Sequence, residues 1–358
     1  MFTLRLTATL LITALLSGCA SVQYYSQGVK GHLEVWWPKK PIDDVIHDQS
    51  QPEDFRQRLA LMLKARKFAS NELALPDNKS YTTYTDLGRP YVVWNVFAAG
   101  EFSLEPKSWC YLMVGCLNYR GYFDATEAKL TADSLAQQGY DVSVEGVSAY
   151  STLGWFNDPL LNTMLQWSDN RRIELIFHEL AHQVVYLSSE TDFNESMATA
   201  VARLGMVRWY QTQHPDKLNE YFDLTRQHAE FRQLLLETSQ QLRQIYSSNQ
   251  TTETKRHDKA QVFADLQQKY SQTKQHWPRP NAFDSWFARP LNNAHITASM
   301  TYLQQTPAFY ALYLDSQKDW PTFLNSIKKL GKLPRQQREE TVKQLLQRNI
   351  TLQQASTT

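Results

Sequence analysis

The spacing of apolar residues changes along this chain and divides it into a leader, a mixed N-terminal third and a helical remainder. Met1 to Gly18 carries one cation, Arg5, and an apolar run through Leu16. That run is too short for a spanning helix and fits a signal peptide over residues 1–18. Residues 19–50 read as a tether leading into the domain, with Val35-Trp36-Trp37-Pro38 and Pro41 breaking any long helix. Between 53 and 70, Phe55, Leu59, Leu61, Leu63 and Phe68 fall largely on one helical face. Residues 91–97 (YVVWNVF) are β-branched and aromatic and predict a strand. In residues 141–148, Val142, Val144 and Val147 predict a second strand, with a bulge at Gly146.

From about residue 170 the pattern is helical. Residues 216–247 predict one long helix, Ser248 to Thr254 a polar break, and 257–274 a second helix, together a helical hairpin. Pro278, Pro280 and Pro290 punctuate the next loop, and helical patterns return near 294–315, 318–330 and 335–353. No repeat and no long linker divides the chain, so residues 51–358 are expected to form a single domain. The expected class is α+β, predominantly helical, with a small β-sheet and a long helical hairpin.

Charge and cysteine content narrow the partners. The 358 residues carry 37 Lys+Arg and 36 Asp+Glu, which argues against nucleic acid as the main partner. Leu16-Ser17-Gly18-Cys19 resembles the lipobox of bacterial lipoproteins. That resemblance implies cleavage before Cys19 and lipidation of Cys19, a firm membrane anchor. Ala20, rather than Asp, at the next position implies an outer-membrane lipoprotein facing the periplasm. Cys110 and Cys116 would then sit in an oxidising compartment, with five residues between them, where a local disulfide is sterically possible. Two buried free thiols are the alternative; a zinc site on these cysteines has the wrong spacing and no intervening His.

The chemistry concentrates in residues 171–186, RRIELIFHELAHQVVY. Ile173, Phe177, Leu180 and Val184 recur at helical spacing, with Ser168, Asp169 and Asn170 as N-caps. His178 and His182, four apart, then lie one above the other and can share one Zn²⁺. Glu179 is rotated by about 100° and can reach a water held there, as a general base. The bland alternative, two core histidines beside a buried Glu, is costly without a compensating charge. A catalytic zinc takes a third protein ligand. Thr191 to Thr199 opens another helix, with Phe193, Met197, Val201 and Leu204 on its apolar face and Glu195 in its first turn. Glu195 is the preferred third ligand and Asp192 the rival; a capping box between Asp192 and Glu195 is the structural alternative.

HELAHQVVY followed by FNESMATAVA resembles the bacterial predicted zinc aminopeptidases, lipoprotein members of the HExxH class. Further blocks carry the likeness: Trp94 to Ala99, Trp109-Cys110 to Cys116, Tyr119 to Phe123, Tyr150 to Phe156 and Leu291 to Ala294. Tyr111-Leu112-Met113 is atypical of it. The resemblance covers most of the chain after residue 25. It implies a zincin-like fold, one Zn²⁺ on His178, His182 and Glu195, Glu179 as base, and peptide substrates. Tyr150, Tyr302 and Arg120 are candidates to stabilise the transition state, each with a structural alternative. Asp124, Asp158 and Glu101 are the carboxylates considered for the substrate amine, and nothing in the sequence singles one out. Residues 148–156 are either an edge that pairs with extended substrate or a core strand with Trp155 and Phe156 packed inside. A zinc endopeptidase and a non-catalytic zinc-stabilised scaffold are the competing functions.

Overall fold

The computed structural model describes residues 24–356, except 25, 38, 112–114, 150, 153 and 301–303. The expected signal peptide, Cys19, Tyr150 and Tyr302 lie outside the described residues. Among the described residues no helix is long and apolar enough to cross a membrane.

The expected helical chain with a small sheet is what forms. After a helical stretch at 26–36, α1 (Ile42–His47) leads into α2 (Glu53–Leu73). The lead-in is built into the fold, since Val35, Ile42 and Val45 are buried in the main core. On α2 the buried stripe runs through Leu59, Met62, Leu63, Ala69 and Leu73, with Leu61 partly buried against the same core. Arg66, buried on the same helix, donates to the carbonyls of Ser80, Pro76 and Asn78 and fixes the loop that follows.

Three short strands, β1 (Lys40–Pro41), β2 (Thr83–Thr85) and β8 (Leu160–Leu161), form one small sheet. The larger sheet has the order β6-β3-β7, from β3 (Val93–Gly100), β6 (Arg120–Tyr122) and β7 (Tyr140–Val147), and is antiparallel throughout. β3 and β7 pair one to one from Val93↔Val147 to Gly100↔Tyr140, so the bulge expected at Gly146 is absent. The glycine has another cause: a Cβ there would meet the Tyr91 ring at 2.4 Å. Between these strands β4 (Trp109–Tyr111) and β5 (Gly115–Leu117) form a hairpin in which Cys110 faces Cys116 and is disulfide-bonded to it.

α3 (Ala125–Gln137) packs on the larger sheet through Ala128, Ala132 and Leu135. Asp124 caps it by accepting from the amides of Thr126 and Glu127. Next come α4 (Asp169–His182) and α5 (Thr191–Gln213), and then the helical hairpin of α6 (Leu218–Ser247) and α7 (Thr252–Thr273). The hairpin is pinned to the sheet by Arg256 on Glu101 and by Lys259 on Asp141, at 2.5 and 2.6 Å. The pattern at 294–315 resolves into two helices, α8 (Asn293–Met300) and α9 (Thr306–Asp315). α10 (Trp320–Lys332) and α11 (Arg335–Gln347) follow. At the start of α8, Asn292 donates to the carbonyl of Val142 and Asn293 to those of Gly100 and Glu101. Those two asparagines fasten α8 to β7 and to the end of β3.

Candidate metal centre

Four turns of helix present the HExxH segment. α4 buries Ile173, Ile176, Phe177, Leu180 and Ala181, and its opposite side is left to carry polar groups. Ser168 occupies the N-cap position without a side-chain hydrogen bond. The connection from Gln183 to Glu190 returns the chain so that α5 runs antiparallel along α4. Asn194 braces that turn, its side chain bonding both the amide and the carbonyl of Leu187. Glycine allows the close approach: a Cβ on Gly205 would meet Phe177 Cδ2 at 2.9 Å.

This packing brings Glu195 against the two histidines. The His178 and His182 Nε2 atoms are 3.1 Å apart. His178 Nε2 lies 3.3 Å from Glu195 Oε2, and His182 Nε2 lies 3.5 Å from Oε1. A tetrahedral zinc with bonds of about 2.0–2.1 Å sets neighbouring donors about 3.3 Å apart. The donor set, two imidazoles and a carboxylate, and its spacing therefore fit such an ion. Among the described residues, His178, His182 and Glu195 form the one group of three His, Cys, Asp or Glu placed to hold a metal. Asp192 is not in it; it lines a different pocket together with Asn118. The capping box is not formed either, because Glu195 turns toward the histidines rather than back to the helix start. Buried His182 Nδ1 has no hydrogen-bond partner among the described residues.

The electrostatics are those of a ligand cluster. Burial acts against a charged His178, but hydrogen bonding and the charge of Glu195 hold its pKa above the ordinary value. Burial, and then His178, push His182 down to about 4, so that imidazole is neutral and its lone pair is free to bind a metal. For Glu195 burial is outweighed by the two histidines, and its pKa is lowered. Glu179 differs: burial raises its carboxyl to about 7, His178 opposes this, and Glu195 and Asp158 add to it. Ser151 hydrogen-bonds that carboxyl. A carboxyl poised near neutrality in a cleft is suited to proton transfer.

His178 and Glu179 open onto a cleft of about 690 Å³. Its walls are the end of β7 with Ser148 and Ala149, one face of α4, and α5 and α6 beyond. The segment 148–156 is not the core strand of the second expected alternative. β7 ends at Val147, the Ser148 carbonyl is taken by Thr163, and Trp155 is 81% exposed. Phe156 packs edge-on against Trp36, their ring centres 4.0 Å apart.

The remaining nominated residues are engaged elsewhere. The Arg120 guanidinium lies over the Tyr24 and Tyr122 rings. Asp124 caps α3, and Glu101 pairs with Arg256. Asp158 is fully buried and accepts from the amide and hydroxyl of Thr152, which braces the loop that carries Ser151. Sequence reasoning missed Glu174, one turn before His178, which lines the cleft. It also missed Tyr119, whose hydroxyl burial raises to about 12 with help from the nearby Glu195. The block Tyr119 to Phe123 was visible, but nothing in it favoured Tyr119 over Arg120.

A two-histidine, one-carboxylate cluster with a cleft-facing Glu beside it is the arrangement expected of an H-E-x-x-H helix. The family described as "Putative aminopeptidase" matches residues 23–342, and the chain belongs to that family. Searches among curated proteins and among solved structures find no match. Family membership supports a peptidase with peptide substrates.

Proposed function

We propose that this protein is a zinc-dependent aminopeptidase of zincin-like fold, with His178, His182 and Glu195 as ligands and Glu179 as general base. The observation that carries this reading is the spacing of the three donor groups, with nearest nitrogen and oxygen atoms 3.1, 3.3 and 3.5 Å apart, next to a carboxyl held near pKa 7. Zinc, when bound, lowers the pKa of its water and polarises the scissile carbonyl. Glu179 accepts a proton from the attacking water and passes it to the leaving amine. Ser151 and the buried Asp158 orient and tune that carboxyl. Tyr119 and Tyr186, both close enough to feel the charge of Glu195, border the cluster and can donate to a developing oxyanion. Glu174, which also pairs with Arg203 at 3.7 Å, lines the cleft as Glu179 does and is the carboxylate we nominate for a substrate ammonium group. The lipobox resemblance supports attachment through Cys19 to the outer membrane, with the cleft facing the periplasm.

The test is Glu179→Gln. The variant is expected to keep one zinc per chain and to lose about 10²–10⁴-fold in kcat, the usual worth of a positioned base. A variant with unchanged zinc content and unchanged hydrolysis would sink the mechanism. Acetylated peptides separate exopeptidase from endopeptidase, since an aminopeptidase leaves them uncut.

A further inference from the structure

The cleft has a second end. Along α4, Arg171 precedes His178 by seven residues, which places it about 10 Å away along the axis. Arg203 stands opposite on α5 and is 13% exposed at its side chain. Arg279 and His228 complete this wall, and Arg232 lies close behind it. The cations are poorly balanced. Arg203 reaches Glu174 only at 3.7 Å, and that is the one acid lining this end. Arg279 meets Glu220 at 3.8 Å, out where both are more than half exposed. Arg171 and Arg232 have no carboxylate within ion-pair reach among the described residues. The Arg171 guanidinium is instead stacked on Trp167, 3.9 Å from the ring centre, which holds it in place without neutralising it. Burial, and then the surrounding arginines, push His228 down to about 4, so it is a neutral donor.

A cavity wall in which cations outnumber acids, as Arg171, Arg203 and Arg279 outnumber Glu174 here, concentrates anions, and guanidinium groups grip carboxylates with two parallel hydrogen bonds. We propose that this end of the cleft binds a carboxylate of the substrate, so that the protein selects peptides with a negative charge about 10 Å from the metal cluster. The proposal rests on the cleft being the peptide site. An extended chain covers about 3.3–3.6 Å per residue, so the span is roughly three residues. The carboxylate comes either from an acidic side chain near the scissile bond or from the C-terminus of a short peptide.

Calorimetric titration of zinc-loaded Glu179→Gln protein tests this without turnover. Two peptide pairs serve as probes: one differs by a free or amidated C-terminus, the other by Glu or Gln at the N-terminal residue, both amidated. At least one carboxylate-bearing member is expected to bind about tenfold tighter or more than its neutral partner. The pair that shows the advantage identifies the source. Adding Arg171→Gln or Arg203→Gln should bring the two members of that pair together, as should high salt. Should Arg203→Gln fail to fold, Arg171, which is exposed to the cleft, carries the test. Equal binding within both pairs, or an advantage that survives Arg171→Gln, overturns the proposal. Hydrolysis by the wild-type protein is followed in parallel. Charge discrimination without any hydrolysis overturns the peptidase reading and leaves the carboxylate site standing.

Discussion

The two ends of the cleft are built by the same pair of antiparallel helices and solve opposite electrostatic problems. At one end His178, His182 and Glu195 converge and their charges are coupled: Glu195 raises the pKa of His178 against burial, and the two histidines lower that of Glu195. At the other end Arg171, Arg203, Arg232 and Arg279 stand around one interior acid, Glu174. On the proposed reading the first cluster takes a cation and the second an anion. Sites left unbalanced within a folded protein are where ligands supply the missing charge.

The metal end should fail hardest when a donor is removed. Glu195→Gln keeps the shape but removes the charge that stabilises a bound cation. Its zinc affinity should fall by more than the 10–100-fold that losing a mere supporting partner costs. Competition with a zinc-chelating dye measures this. Wild-type affinity would remove Glu195 from the ligand set. Peptide charge discrimination at the arginine end should survive the substitution, because Arg203 lies eight residues further along α5.

A smaller effect is expected at the seam that joins the two ends. Gly205 lets α5 lie against Phe177 and Leu73, and a Cβ would come within 2.9 and 2.7 Å of them. Gly205→Val is therefore expected to destabilise by about 1–3 kcal/mol through overpacking, read from the urea midpoint. Zinc affinity should fall with it, since α4 and α5 would separate by a few tenths of an ångström. Unchanged stability would mean the seam is looser than these distances require.

The same contrast explains what the sequence disclosed. The metal end was legible because its parts are local: two histidines one helical turn apart, and a carboxylate in the first turn of the next helix. The helix periods, the hairpin and the two long strands were legible for the same reason. The arginine end gathers residues from position 171 to 279, on α4, α5, α6 and the loop beyond. No window holds them, and singly each resembles an ordinary surface cation. Glu174 escaped notice because a helix offers many acids and only packing shows which one faces a cleft. Gly146 was misread as a bulge because its cause, the Tyr91 ring, lies 55 residues away in the chain. Arg120, prominent in a recognisable block, turned out to be stacked on aromatic rings.

The comparison is sharpest at Arg232, where removing a residue should help. Burial lowers its guanidinium to about pKa 10; Arg203 adds to this, and Tyr310 and Glu174 only partly oppose it. A depressed folded-state pKa means that the charged form is less favourable folded than unfolded. The penalty is present in full at neutral pH and is relieved only as pH rises through about 10. Arg232→Met fills similar space without the charge, and should stabilise the protein by about 1 kcal/mol at pH 7, as apolar replacement of buried charge often does. The denaturation midpoint should rise with an unchanged slope. The gain should shrink when a carboxylate-bearing peptide is bound, because that ligand then supplies the balance the substitution made unnecessary. A loss of stability at pH 7 would mean that Arg232 is already neutralised within the fold, and the arginine end would then be a structural ion network rather than a site waiting for its anion.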